Sequence, residues 1–293
     1  MRCAIVPRCD SPQPAWIQYN SRMTDWIRGT YAANGIDIHY LRTDGDKPPL
    51  LALHGLTGSG ACWTLLARAL EDRYDVIMPD ARGHGASSAP PRGYMYCDLA
   101  DDVIGLIKGL RLDAPVVLGH SMGGMTAAVV ASEMGTAIRG LILADPTFLP
   151  PERQREVYES DVAGQHRRLL GRNKDEVLAE AMQRQPHRSR ELLELIIDAR
   201  LRTATSAFEV LTPPNPDFRQ LVRDIAVPSL LVVGDNGVVT VETARELQEL
   251  NPRLRHEVIA NAGHGLHYDR PDEFAAVVRT FLETVDRSYT QLP

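Results

Sequence analysis

The stretch Pro115-Val116-Val117-Leu118-Gly119-His120-Ser121-Met122-Gly123-Gly124-Met125-Thr126-Ala127-Ala128 decides the fold. A short apolar run ends in Gly119-His120-Ser121-Met122-Gly123 and passes at once into an Ala-rich run with helical character. This is the strand-turn-helix setting that a Gly-x-Ser-x-Gly elbow needs. The reason is steric. A strand that turns straight into a helix pinches the backbone around its central residue. Side chains two positions before and after would collide, and here both positions are glycine. The turn lifts the Ser121 hydroxyl clear of the sheet. It also aims the Met122 N–H at any oxyanion formed beside it, and the helix N-terminus adds a field that favours negative charge.

Outward from this turn the chain alternates. Gly29 to Arg42 reads as two short strands around Asn34-Gly35, a pair that tolerates positive φ and signals a hairpin. The run Leu50-Leu51-Ala52-Leu53 is the next strand and ends at His54-Gly55. Strands are expected over 74–78, 115–118, 141–144, 229–233 and 254–259. Helices are expected over 61–72, 95–110, 122–134, 240–250 and 271–285. A Thr243-x-x-Glu246 capping box near the start of the fourth of these helices is also expected. Short apolar strands separated by helices imply βαβ units and a parallel sheet with both faces covered.

Two segments depart from this rhythm. Residues 1–28 carry no clear periodicity and read as an N-terminal extension, with Met23 an alternative start. Residues 150–220 hold 12 Lys or Arg and 12 Asp or Glu in 71 positions, about a third charged against 24% overall. Glu191-Leu192-Leu193-Glu194-Leu195-Ile196-Ile197 has helical spacing there. Because alternation resumes afterwards, the segment reads as a helical insertion. The expected division is a core over 29–148 and 221–293, and a cap over 149–220.

A serine hydroxyl is a weak nucleophile until a base takes its proton. The base is expected to be His264, in Ala262-Gly263-His264-Gly265 after the last strand, with His267 ranked second. The loop His54-Gly55-Leu56-Thr57-Gly58 follows the strand over 50–53. Its Leu56 N–H is expected to join the Met122 N–H as a second oxyanion donor, while His54 shapes the loop. No His-Glu-x-x-His occurs, and His264-x-x-His267 lacks a third ligand for zinc.

These motifs in this order resemble the α/β-hydrolase fold family. They are His54-Gly55, Asp80-Ala81-Arg82-Gly83-His84-Gly85-Ala86-Ser87, Gly119–Gly123 and Ala262-Gly263-His264, and the likeness runs from about residue 29 to 285. It implies a mostly parallel eight-stranded sheet with helices on both faces and a helical cap after the sixth strand. It also implies that the turn at 80–87 is architectural. The acid that orients the histidine would follow the strand over 230–233, where the family pattern resembles Gly-x-x-Asp. Here the chain reads Gly234-Asp235-Asn236-Gly237, so Asp235 is the carboxylate in that turn. Asp145, after the strand over 141–144, is the competitor. Loop position and the order Ser121, Asp235, His264 favour Asp235.

Composition narrows the class of function. A net charge of −6 without a basic block argues against nucleic acid or an anionic membrane as partner. Cys3, Cys9, Cys62 and Cys97 are too sparse for a disulfide framework, which suggests a reducing, cytoplasmic setting. No run of 18 apolar residues spans a membrane. The reaction expected from the resemblance is acyl transfer to water by a serine hydrolase, without cofactor or metal. The expected substrate is a small or medium ester or lactone, with Phe148, Tyr158, Phe208 and Phe218 as candidate pocket residues. The rivals are amide or carbon–carbon bond hydrolysis or perhydrolysis on the same scaffold, and a ligand-binding protein with a slow triad. Oligomeric state is not expressed in the sequence.

Overall fold

The computed structural model describes residues 26–289. All but the last three residues of the expected extension lie outside the described residues, together with Met23, Cys3 and Cys9. The elements, in chain order, begin with β1 (Ile27–Ala33), β2 (Ile36–Arg42), β3 (Pro49–Leu53), α1 (Thr64–Leu70), β4 (Asp75–Pro79), α2 (Tyr96–Gly109), β5 (Val116–His120), α3 (Met122–Met134) and β6 (Gly140–Ala144). Four helices follow, α4 (Pro151–Glu159), α5 (Val162–Leu170), α6 (Lys174–Arg184) and α7 (Arg190–Leu201). The chain closes with α8 (Phe218–Asp224), β7 (Ser229–Asn236), α9 (Val241–Leu250), β8 (Leu254–Gly263), α10 (Leu266–Asp269) and α11 (Pro271–Tyr289).

One eight-stranded sheet runs in the order β1-β2-β4-β3-β5-β6-β7-β8. The β1–β2 hairpin turns through Asn34 and Gly35, both at positive φ. Its two strands are antiparallel, β2 joins β4 antiparallel, and the other five pairings are parallel. Each central strand is buried on both faces, so its residues alternate between two cores. Leu51 and Leu53 pack with Leu106 of α2, Met125 of α3 and Val222 of α8. Leu50 and Ala52 face the other way, with Leu66 of α1 and Phe274 and Val278 of α11. The four helices inserted after β6 have a small core of their own, Val177, Leu178, Leu193 and Ile197. Phe218, within the segment expected as cap, belongs instead to the main core.

The cap of α9 differs from the expected box. Thr240 is the N-cap and accepts the Thr243 N–H, so Thr243 lies inside the first turn. Among the described residues Cys62 is buried and Cys97 exposed, and they form no disulfide with each other. Among the described residues no helix is long and apolar enough to cross a membrane.

Strand order positions the site. β3 pairs with β4 on one side and β5 on the other, so successive connections leave the sheet in opposite directions here. Loops at such a switch point part and leave a crevice beyond the carboxyl ends of the strands. Leu53 is opposite Gly119 and His120 opposite Ala144, which brings the ends of β3, β5 and β6 to one edge.

The crowding at this edge is testable. A Cβ on Gly119 would stand 2.0 Å from the Gly123 carbonyl oxygen, a backbone atom that cannot swing aside, whereas one on Gly171 would meet nothing nearer than 3.7 Å. Gly119→Ala is expected to lower Tm by roughly 5 °C or more, and Gly171→Ala to leave it within about 2 °C. Thermal unfolding checks both.

Candidate active site

Ser121 occupies the bend between β5 and α3 at φ 55° and ψ −120°. Such a backbone costs a non-glycine residue ~1–3 kcal/mol and persists only where neighbours over-determine it. Here they do. The Ser121 N–H donates to the Ala144 carbonyl, and the Ser121 carbonyl accepts from the Gly124, Met125 and Thr147 N–H groups. A Cβ on Gly123 would lie 2.4 Å from the Leu53 carbonyl oxygen, so the helix starts in contact with the end of β3.

His264 meets Ser121 from the loop after β8. Its Nε2 lies 2.9 Å from the Ser121 Oγ. Its Nδ1 lies 2.6 Å from Asp145 Oδ2. Asp145 is fully buried and also accepts the Val238 and Val239 N–H groups, at 2.8 and 2.9 Å. A carboxylate can only accept, so the proton sits on Nδ1, and Nε2 is left with a lone pair for the Ser121 hydroxyl.

This geometry corrects the expectation for the acid. Asp235 does not reach His264. It is exposed, and its carboxylate accepts the Asn261 and Ala262 N–H groups at 2.9 and 3.1 Å. Those backbone bonds hold its carboxyl below the usual range. The reason lies in adjacent strands. Where the Gly-x-x-Asp pattern would put its acid, this chain has Gly237, and a Cβ there would come within 2.8 Å of Asp145 Oδ1. The carboxylate arrives in that space from β6 instead of β7. The missing acid at 237 was the sequence signal for Asp145. Chain order does not separate the two, since Asp145 also lies between Ser121 and His264, so the expectation of Asp235 rests on loop position alone.

His120 and His267 flank the loop that carries His264 without joining the hydrogen-bonded chain Asp145–His264–Ser121. The His120 Nε2–H donates to the His264 carbonyl at 2.7 Å. His267, the second-ranked base, is buried with its ring 4.7 Å from Trp63 and 4.4 Å from His120. Arg188 of the insertion pairs with Asp269 at 2.6 Å, and the other Asp269 oxygen accepts the Gly263 N–H. The insertion is thereby tied to the loop that carries His264.

The two expected oxyanion donors lie in the two turns beside Ser121. Met122 opens α3, whose first turn has no intrahelical acceptor for its N–H. Leu56 lies in a turn closed by the Gly58 N–H on the Gly55 carbonyl. A Cβ on Gly55 would be 3.0 Å from the Ser121 Cβ, so this loop passes directly against the serine. A cleft of about 580 Å3 between the insertion and the core includes Phe148, Phe218 and Thr147 in its wall. Tyr158 is 54% exposed and outside that wall, and Phe208 packs on the His166 ring. Among the described residues no three His, Cys, Asp or Glu side chains gather as a metal ion would need.

Known proteins bear on this arrangement. The family model for the alpha/beta hydrolase fold matches residues 48–271. The N-formylmaleamate deformylase of Pseudomonas putida is 30% identical over 264 residues, 87% of this chain and 96% of that protein. The sn-1-specific diacylglycerol lipase ABHD11 of Mus musculus is 29% identical over 273 residues, 84% of this chain and 85% of the lipase. Among solved structures, the enol-lactonase of Burkholderia xenovorans superposes with a TM-score of 0.72 at 27% identity, over 87% of this chain and all of that one.

Burial makes the surroundings of the site sensitive to acid. Desolvation holds His84 and His120 down to about 3, and pushes His54 down and His267 well down. In the unfolded chain all four would take protons near 6.5. Their contribution to stability is therefore complete above that value and declines as pH falls below it. Tm is expected to drop steadily between pH 7 and 5.5, above the carboxylate range. A flat Tm across that window in calorimetry would contradict the neutral state of these rings.

Proposed function

Since the chain belongs to the alpha/beta hydrolase fold family, we propose that it is a serine hydrolase cleaving a small or medium carboxylic ester or lactone through an acyl-enzyme on Ser121. The observation that carries this reading is the continuous chain from Asp145 through His264 to the Ser121 hydroxyl, at 2.6 and 2.9 Å. His264 Nε2 takes the Ser121 proton as Oγ attacks the substrate carbonyl. The Leu56 and Met122 N–H groups receive the oxyanion. Asp145 keeps the Nδ1 proton on His264 and stabilises the imidazolium while remaining ionised itself. His264 then hands its proton to the leaving oxygen, and the acyl group stays on Ser121. Water attacks the acyl-enzyme, gives a proton to His264, and the acid departs as Ser121 regains its hydrogen.

The cleft between insertion and core does not include Ser121 or His264 in its wall but adjoins them through Thr147, whose N–H donates to the Ser121 carbonyl. Its mixed wall, with Phe148 and Phe218 beside Gln154 and Asn215, suits a small or medium substrate that has both apolar and polar groups. The insertion's balanced charge suits a dissolved substrate better than an oil surface. Amide hydrolysis is the second reading, favoured by the 30% identity to a deformylase. The same triad serves it, with a nitrogen leaving group.

A panel of short aryl esters, lactones and formamides, with a fluorophosphonate probe, tests this. Ser121 is expected to be the labelled residue, and Ser121→Ala to abolish both labelling and turnover. Asp145→Asn is expected to cut kcat by about 10⁴. Asp235→Asn is expected to cost less than about tenfold, because an amide oxygen still accepts one of its two backbone bonds. An unlabelled Ser121 and no turnover across the panel would defeat the proposal in favour of a binding protein.

A further inference from the structure

The turn from Asp80 to Ser87 does more than reverse the chain. It grips the loop after β3 at every third residue. The Ala81 N–H donates to His54 Nε2 at 3.0 Å. The Thr57 N–H donates to His84 Nε2 at 3.2 Å. The Gly60 N–H donates to Asp80 Oδ1 at 2.7 Å. Leu56 lies between the first two of these points.

Both imidazoles have one role available to them. The His54 Nδ1–H donates to the Gly55 carbonyl at 2.8 Å, and the His84 Nδ1–H donates to the Arg82 carbonyl at 2.9 Å. Each Nε2 is therefore an acceptor, as its backbone partner requires. The rings are buried and meet edge to face with centroids 5.0 Å apart. The turn that carries His84 is itself held. The second Asp80 oxygen accepts the Ala86 N–H at 2.9 Å, and the Ser87 hydroxyl donates to the Asp80 carbonyl at 2.6 Å.

Thr57 gives this contact its consequence. It is β-branched yet sits at φ 67°, the left-handed region. A branched side chain there is a true outlier and is held only by its surroundings. His84 Nε2 is the acceptor that its N–H has in that conformation. Without it, Thr57 relaxes toward negative φ, which swings the Leu56–Thr57 peptide and, through the Leu56 Cα, the Gly55–Leu56 peptide whose N–H is the expected donor.

We propose that His84 is a positioning residue for the oxyanion loop, its Nε2 lone pair holding the strained Thr57 so that the neighbouring Leu56 N–H stays aimed at the substrate's carbonyl oxygen. The assignment rests on the hydrolase reading above, in which Leu56 is a donor. It extends that reading to a residue that touches no substrate, and to a turn read from sequence as architecture alone.

The test replaces the acceptor while keeping a ring of similar size. His84→Phe is expected to lower kcat by about 10–100-fold, less than outright loss of a donor, with KM changed less than about twofold. Affinity for an aryl trifluoromethyl ketone, which presents the tetrahedral oxyanion, should fall by the same factor as kcat, and affinity for the carboxylate product should not. His84→Gln keeps an acceptor with less disturbance and should fall between wild type and Phe. Thr57→Gly in the His84→Phe background should recover part of the loss, since glycine holds positive φ without strain. Hydrogen exchange supplies a readout that needs no catalysis: the Leu56 and Thr57 amides should exchange faster in His84→Phe, while those inside α3 do not change. Unchanged exchange at both amides, or equal losses in ketone and product affinity, would overturn the proposal. If the wild type neither labels nor turns over, the hydrolase reading fails, and the exchange result still decides whether His84 holds the loop.

Discussion

The rest of the site depends on the close approach of backbones at the β5–α3 bend. Gly119, Ser121 and Gly123 are packed so tightly that a single added carbon at Gly119 would overlap the Gly123 carbonyl oxygen, and one at Gly123 the Leu53 carbonyl oxygen at the end of β3. That compression fixes the Ser121 hydroxyl relative to the loop after β3 and the turn after β6. It also explains why the serine carries a backbone conformation that costs free energy. Three N–H groups on its carbonyl and a carbonyl on its own N–H stabilise the bend, and two of these partners, Ala144 and Thr147, flank Asp145 in the chain. Ser121 and Asp145 are thus held by one local network.

Around this bend the protein uses neutral histidine as a structural material. His54, His84 and His120 each donate one ring hydrogen to a main-chain carbonyl. A desolvated imidazole is a suitable brace because it offers one donor and one acceptor on a rigid ring without a buried charge. Two of the braces serve the loop after β3, and the third fixes the carbonyl of His264. The histidine that meets Ser121 differs from them in having a carboxylate on its Nδ1.

Much of this was legible in the chain. Gly119 and Gly123 around Ser121, between a strand and a helix, announced the elbow because the steric demand falls on residues close in sequence. Asn34-Gly35 announced the hairpin for the same reason. His264 followed from a glycine-flanked position after the last strand. Asp145 was harder, since its role depends on β6 and β7 lying side by side. An aspartate before proline is a common turn residue, and Asp235 sat where the family pattern directs attention. The hold of His84 on Thr57 was out of reach, because 27 positions separate them and only the sheet order brings their turns together.

By itself, then, the sequence determined the alternation of strands and helices, the serine at its bend and the histidine after the last strand. Each is written in local sterics and periodicity, which act over a few residues. Only the tertiary structure decided which carboxylate faces the histidine and what braces the loop after β3. Both are settled by which strand ends are neighbours and by what space a missing side chain, at Gly237, leaves for a group arriving from elsewhere.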